Sequence, residues 1–180
     1  MAIDTTDILY KLATTAGSAG NSQAQGSPNY SLGKYISTTQ LVDATVDNLF
    51  DKLTGDENVA GDVEYRCLFI HNSHATLTLE SAVAWLSAEV SGGAVAAIGV
   101  DTTAASAVGA SPAQALQIAN ESTAPAGVTF SAPTSKGAGI ALGDLGPGQV
   151  RAIWIRRTAA NTSPVNNDGV SIRVEGDTAQ

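Results

Sequence analysis

LGDLGPGQVRAIWIRR, residues 142–157, decides the fold class. Pro147 pre-sets a turn φ, and Gly146 and Gly148 supply backbone conformations that a side chain would oppose. Beyond the turn the residues alternate. Val150, Ala152 and Trp154 fall to one side of an extended chain, and Arg151, Ile153 and Ile155 to the other. The same period of two returns over residues 64–70 and 170–175, the latter behind the turn residues Asn167-Asp168-Gly169. Shorter extended pieces are expected at 76–79, 82–87, 94–100, 114–118, 128–131 and 139–142. Short strands with turn signals at this spacing predict an all-β, Ig-like β-sandwich.

Composition agrees. Charged residues make up 14% of the 180-residue chain, against the usual quarter, and eighteen glycines with many Ala, Ser and Thr take their place. A helical bundle would be richer in Glu, Lys and Leu. The net charge is −8, unevenly spread: residues 1–64 hold nine acids against three bases, residues 65–180 eight against six. No basic stripe is available to displace counterions from a phosphate backbone, so direct nucleic-acid binding is not expected. No stretch approaches the roughly 20 apolar residues of a membrane span, and MAIDTTDILYK lacks the apolar core of a secretory signal. Synthesis in a cytoplasm, with no membrane partner, follows as an expectation.

Residues 1–60 read as an acidic, low-complexity arm, and 61–180 as the sandwich domain. Thr6-Asp7 could cap a helical turn in which Ile8, Leu9 and Leu12 share a face. Residues 13–31 are mostly small and polar and cannot fold alone. Tyr35 and Ile36 suggest a short strand. Val42, Val46, Leu49, Phe50 and Leu53 keep helical spacing up to Gly55, with a strand-and-loop reading close behind. Such an arm should be removable without unfolding the sandwich.

Two strands are apolar on both faces. Leu68 and Ile70 lie opposite Tyr65 and Phe69, and Ile153 and Ile155 lie opposite Trp154. At roughly 1.5–3 kcal/mol for each large buried side chain, something should cover the second face. The arm or a neighbouring subunit is the natural cover, unless a bulge swaps the faces locally. Tyr10, Leu12 and Tyr35 from the arm join Leu68, Ile70, Ile153 and Ile155 as the expected interface.

Chemistry is harder to find. Cys67, His71 and His74 are the only Cys and His residues, too few for a convincing zinc site, and Cys67 reads as a small buried apolar residue. DKLTGDENVAGD, residues 51–62, fails the calcium-loop spacing because Leu53 and Gly55 stand where oxygen ligands belong. No nucleophile elbow, Walker motif or dinucleotide motif is present. Arg151, Arg156, Arg157 and Arg173 could form a basic patch, but cross-strand salt bridges with residues such as Glu175 fit better. No cofactor, metal or enzymatic activity is expected.

EYRCLFIHNSHATLTLESAVAWLS (64–87), APAGVTFSAPTSKGAGIALGDLGPGQVRAIWIRRTAA (124–160) and NNDGVSIRVEGDT (166–178) together resemble a family of tailed-bacteriophage virion proteins. Asn72 and Pro147-Gly148-Gln149 carry its two turn features. The resemblance spans roughly residues 60–178. It implies an Ig-like sandwich in a structural role, with no catalytic residues to transfer. The expectation is a capsid decoration (cement) protein at the virion surface, partnered by the major capsid protein and by copies of itself. A tail, collar or baseplate module is the alternative, or a virion-surface carbohydrate-binding or adhesion module. The last would need exposed aromatic residues, whereas Trp85 and Trp154 lie inside strand patterns.

Overall fold

The two leading runs of alternating residues lie side by side. In the computed structural model, which describes residues 2–18, 26–110 and 113–178, they are β3 (Val63–Asn72) and β8 (Gln149–Thr158). They pair antiparallel from Val63 opposite Thr158 to His71 opposite Val150. Around them stand β1 (Ile8–Thr14), β2 (Tyr35–Gln40), β5 (Val95–Val100) and the two-residue β6 (Ser106–Ala107). The order is β2-β1-β3-β8-β5, with β6 continuing the β5 edge of β8. A second sheet, β7-β4-β9, comprises β4 (Leu79–Glu89), β7 (Ile140–Leu145) and β9 (Val170–Thr178). All strand pairs are antiparallel. The architecture is a predominantly β, two-sheet one, consistent with the expected all-β sandwich.

Leu68, Ile70, Ile153 and Ile155 form the core between the sheets. They meet Ala82, Ala84 and Leu86 of β4 and Leu142 and Leu145 of β7, all buried. The opposite face of the large sheet carries Cys67, Phe69, Val150, Ala152 and Trp154, equally buried. Its cover is irregular chain: Leu32, Ala115, Leu116, Ile118, Val128 and Phe130. This explains why β3 and β8 read as apolar on both faces. A strand covered on both sides has no wet face to show.

The segments at 114–118 and 128–131 were expected to be strands. They lie across the sheet instead, and each makes only an isolated bridge, Gly33 to Gln117 and Ile98 to Ser131. Gly33 allows the closest approach: its φ is +88°, and a Cβ there would stand 1.8 Å from the Leu116 carbonyl oxygen. The piece at 82–87 lies within β4, whereas of 76–79 only Leu79 is in a strand, the first residue of β4. Its register slips between Leu79 and Ala82, where Ser81 has φ +50°.

Residues 1–60 depart most from expectation. Ile8, Leu9 and Leu12 do not share a helical face. They lie in β1, which pairs with β3 from Ile8 opposite Asn72 to Leu12 opposite Leu68. The spacing of four between Ile8 and Leu12 fits period two as well as a helix, and pairing along the edge of β3 decides between them. Positive φ at Ala44 and Asp47 breaks the helix expected over 42–53. The helix that forms is α1, Gly55–Ala60, opened by a Thr54–Glu57 capping box and closed at Gly61. Gly55 starts this helix and does not end an earlier one. The low-complexity stretch at 13–31 lies partly outside the described residues.

Candidate functional site

The expected interface does not exist as a surface. Leu68, Ile70, Ile153 and Ile155 are each 0% exposed, and Leu12 is buried beside Leu68. The second sheet of the same chain, together with N-terminal residues such as Leu12, supplies the cover expected from the arm or a neighbouring subunit, so no neighbour is needed there. Leu49 and Phe50 of the N-terminal segment pack on the same core. Tyr10 and Tyr35 are half-buried and separate. Burial pushes the Tyr10 phenol up, with the Val174 backbone and Arg173 beside it, while the Lys34 ammonium lies 5.2 Å from the Tyr35 ring centre.

The densest polar cluster straddles the β3–β8 pair at its Glu64 end. Glu64 stands opposite Arg157, and Arg66 opposite Ile155. Arg157 donates to Glu64, Arg66 donates to Glu121, and both guanidinium groups lie within 4 Å of Asp51. The Phe50 ring sits 4.6 Å from the Arg157 guanidinium carbon and 5.4 Å from that of Arg66. Burial raises the Glu64 carboxyl above its usual value, and the hydrogen bond and charge of Arg157 pull it back. Among the described residues, Asp51, Glu64 and Glu121 are the one group of potential metal ligands whose atoms converge within 4.8 Å. Two guanidinium groups already answer these carboxylates, so the cluster works as a clamp. It fixes Asp51 and the loop at Glu121 to the main sheet.

Asp101, also fully buried, anchors the cover over Trp154. Its carboxylate accepts from Trp154 Nε1 at 2.6 Å, Thr103 N at 2.7 Å and Leu116 N at 3.0 Å. The two turn motifs meet as well. Asn72 Nδ2 donates to the Leu77 and Leu145 carbonyls, each at 2.8 Å, and Gly148 N donates to the Asn72 carbonyl at 2.9 Å. Gln149 closes the turn by accepting from Gly146 N at 2.8 Å. These residues staple β3, β7 and β8 together.

Of the remaining candidates, Cys67 is buried, and burial pushes its thiol well up. His74 Nδ1 accepts from Thr76 N and Leu77 N inside its own turn. The arginines divide: Arg173 pairs with Glu175 at 3.1 Å, Arg156 stacks on Phe130, and Arg151 donates to the carbonyls of Thr103 and Asp101. Cross-strand pairing thus holds for Arg157 with Glu64. The buried Arg66 has no local signature in the sequence, because its partners Asp51 and Glu121 are brought to it only by the fold.

Apolar side chains reach solvent elsewhere. Val42 and Val46 are each 63% exposed and Val59 70%. Val42 and Val46 rim an open cleft of about 280 Å³ with Leu12, Pro28 and Leu41. Residues 41–62 carry six acids and one base, so these valines stand in a negative field. No helix among the described residues is long and apolar enough to cross a membrane. No protein-family model, curated protein or solved structure matches the chain.

Proposed function

We propose that the protein is a structural component of a tailed-bacteriophage virion, a capsid decoration protein that docks through residues 41–62. The observation that carries this reading is the exposure of Val42, Val46 and Val59 within an acidic segment. Val42 and Val46 beside the positive-φ turns at Ala44 and Asp47, and Val59 on α1, suit a surface that meets a partner. The surrounding carboxylates favour a partner with lysine or arginine around an apolar contact, here the major capsid protein. Repetition over a shell lets each copy bind weakly while the set holds firmly. The resemblance over residues 60–178 supports the same reading.

The sandwich is of the Ig-like type in this proposal. Its support is the connectivity: β3 and β8 pair in one sheet, β4 and β9 in the other, and β3 leads across to β4 as β8 leads to β9.

Co-sedimentation of the purified protein with expanded phage heads tests the function. The wild type should pellet with heads, and Val42→Asp/Val46→Asp should lose at least tenfold in retention while keeping its unfolding temperature. Retention by tails but not heads would favour the tail or collar alternative. Undiminished head binding by the variant would remove residues 41–62 from the interface.

A further inference from the structure

We infer that the free edge of β9 pairs antiparallel with β9 of a second copy, joining two three-stranded sheets into one of six strands. The inference is independent of the capsid reading. β9 is nine residues long, and β4 is its sole strand partner among the described residues. Both register slips of that pair add a residue to β4, so β9 itself runs without a bulge. It contains no proline, and Val170, Ile172 and Val174 face the core. Proteins usually guard long edge strands with prolines, bulges or inward charges. β9 has none of these three, and its charges, Arg173, Glu175 and Asp177, lie on its outer face.

Among the described residues, the Tyr10 hydroxyl at the Val174 backbone is the one contact recorded on its outer hydrogen-bonding side. The Gly169 carbonyl accepts from Val90 N at 2.9 Å and the Ser171 carbonyl from Ser87 Oγ at 3.3 Å, so odd-numbered residues point to β4. By alternation, the backbone groups of Val170, Ile172, Val174, Gly176 and Thr178 point to the open side. Side-chain burial agrees. Ala82, Ala84 and Leu86 on β4 are buried, whereas Val170, Ile172 and Val174 remain partly exposed.

Charge selects the register. The outer face of β9 reads Ser171, Arg173, Glu175, Asp177, with Arg173 64% exposed. A two-fold axis through Val174 sets Arg173 of each copy against Glu175 of the other. The same register pairs Val170 with Thr178, so the whole strand matches end to end with about ten backbone hydrogen bonds. Centring on Arg173 or Glu175 would face like charges across the axis. Pairing at Val174 requires the Tyr10 hydroxyl to give up its hydrogen bond to the Val174 backbone.

Sedimentation velocity from low micromolar to about 100 µM reads the outcome. The wild type should shift from monomer to dimer. Arg173→Glu and Glu175→Arg should each weaken association at least tenfold, and the double variant Arg173→Glu/Glu175→Arg should restore it. Thermal unfolding confirms that each variant is folded. A wild type that stays monomeric at about 100 µM overturns the inference, as would single variants that dimerise as well as the wild type. Failure of the double variant to recover, with its fold intact, rules out the register.

Discussion

Arg66 shows how much one residue can hold. Its side chain is fully buried, yet it reaches Glu121 and Asp51 on two separate loops and lies under Phe50. Arg66→Ala should cost about 2–4 kcal/mol in chemical denaturation, toward the lower end because Glu121 still reaches water. His71 is a second sensitive point. Burial holds its imidazole below the usual histidine value, and the Lys11 charge adds to the effect. The folded chain therefore takes up this proton less readily than the unfolded chain. The corresponding stability is complete above about pH 6.5 and is lost as pH falls from there through the folded-state value. His71→Gln should shrink the drop in unfolding temperature between about pH 7.5 and about pH 5.5, measured against the wild type.

At the scale of elements, β1 and β2 carry the largest consequence. They extend the main sheet, and Leu12, Leu49 and Phe50 complete the core over Leu68 and Ile70. Removing residues 2–60 would strip the β1 edge from β3 and uncover that core. The shortened chain should lose its cooperative thermal transition and bind a hydrophobic dye. An intact transition would mean that residues 61–180 fold alone. The strands β3, β8 and β9 were legible because each repeats with period two over at least six residues, between clear turns. α1 was legible in principle from Thr54-x-x-Glu57, a capping-box pattern. β1 was not, because the four-residue spacing of Ile8 and Leu12 fits a helix and a strand alike, while Leu9 fits only the helix.

For the whole molecule, the sequence by itself determined the β class, the strands β3 and β8 and the two-faced apolar character of each. Those properties follow from local alternation and turn chemistry, which act over a few residues. Tertiary structure alone decided that β3 pairs with β8 at the middle of the large sheet and what covers each face. Leu68, Ile70, Ile153 and Ile155 meet β4 and β7, while Trp154 meets the loops around Leu32 and Leu116. Covering depends on contacts between segments tens of residues apart, and an apolar side chain is equally satisfied by its own chain or by a neighbour. The surfaces left over, Val42 and Val46 beside their cleft and the open edge of β9, became visible only once those internal contacts had been made.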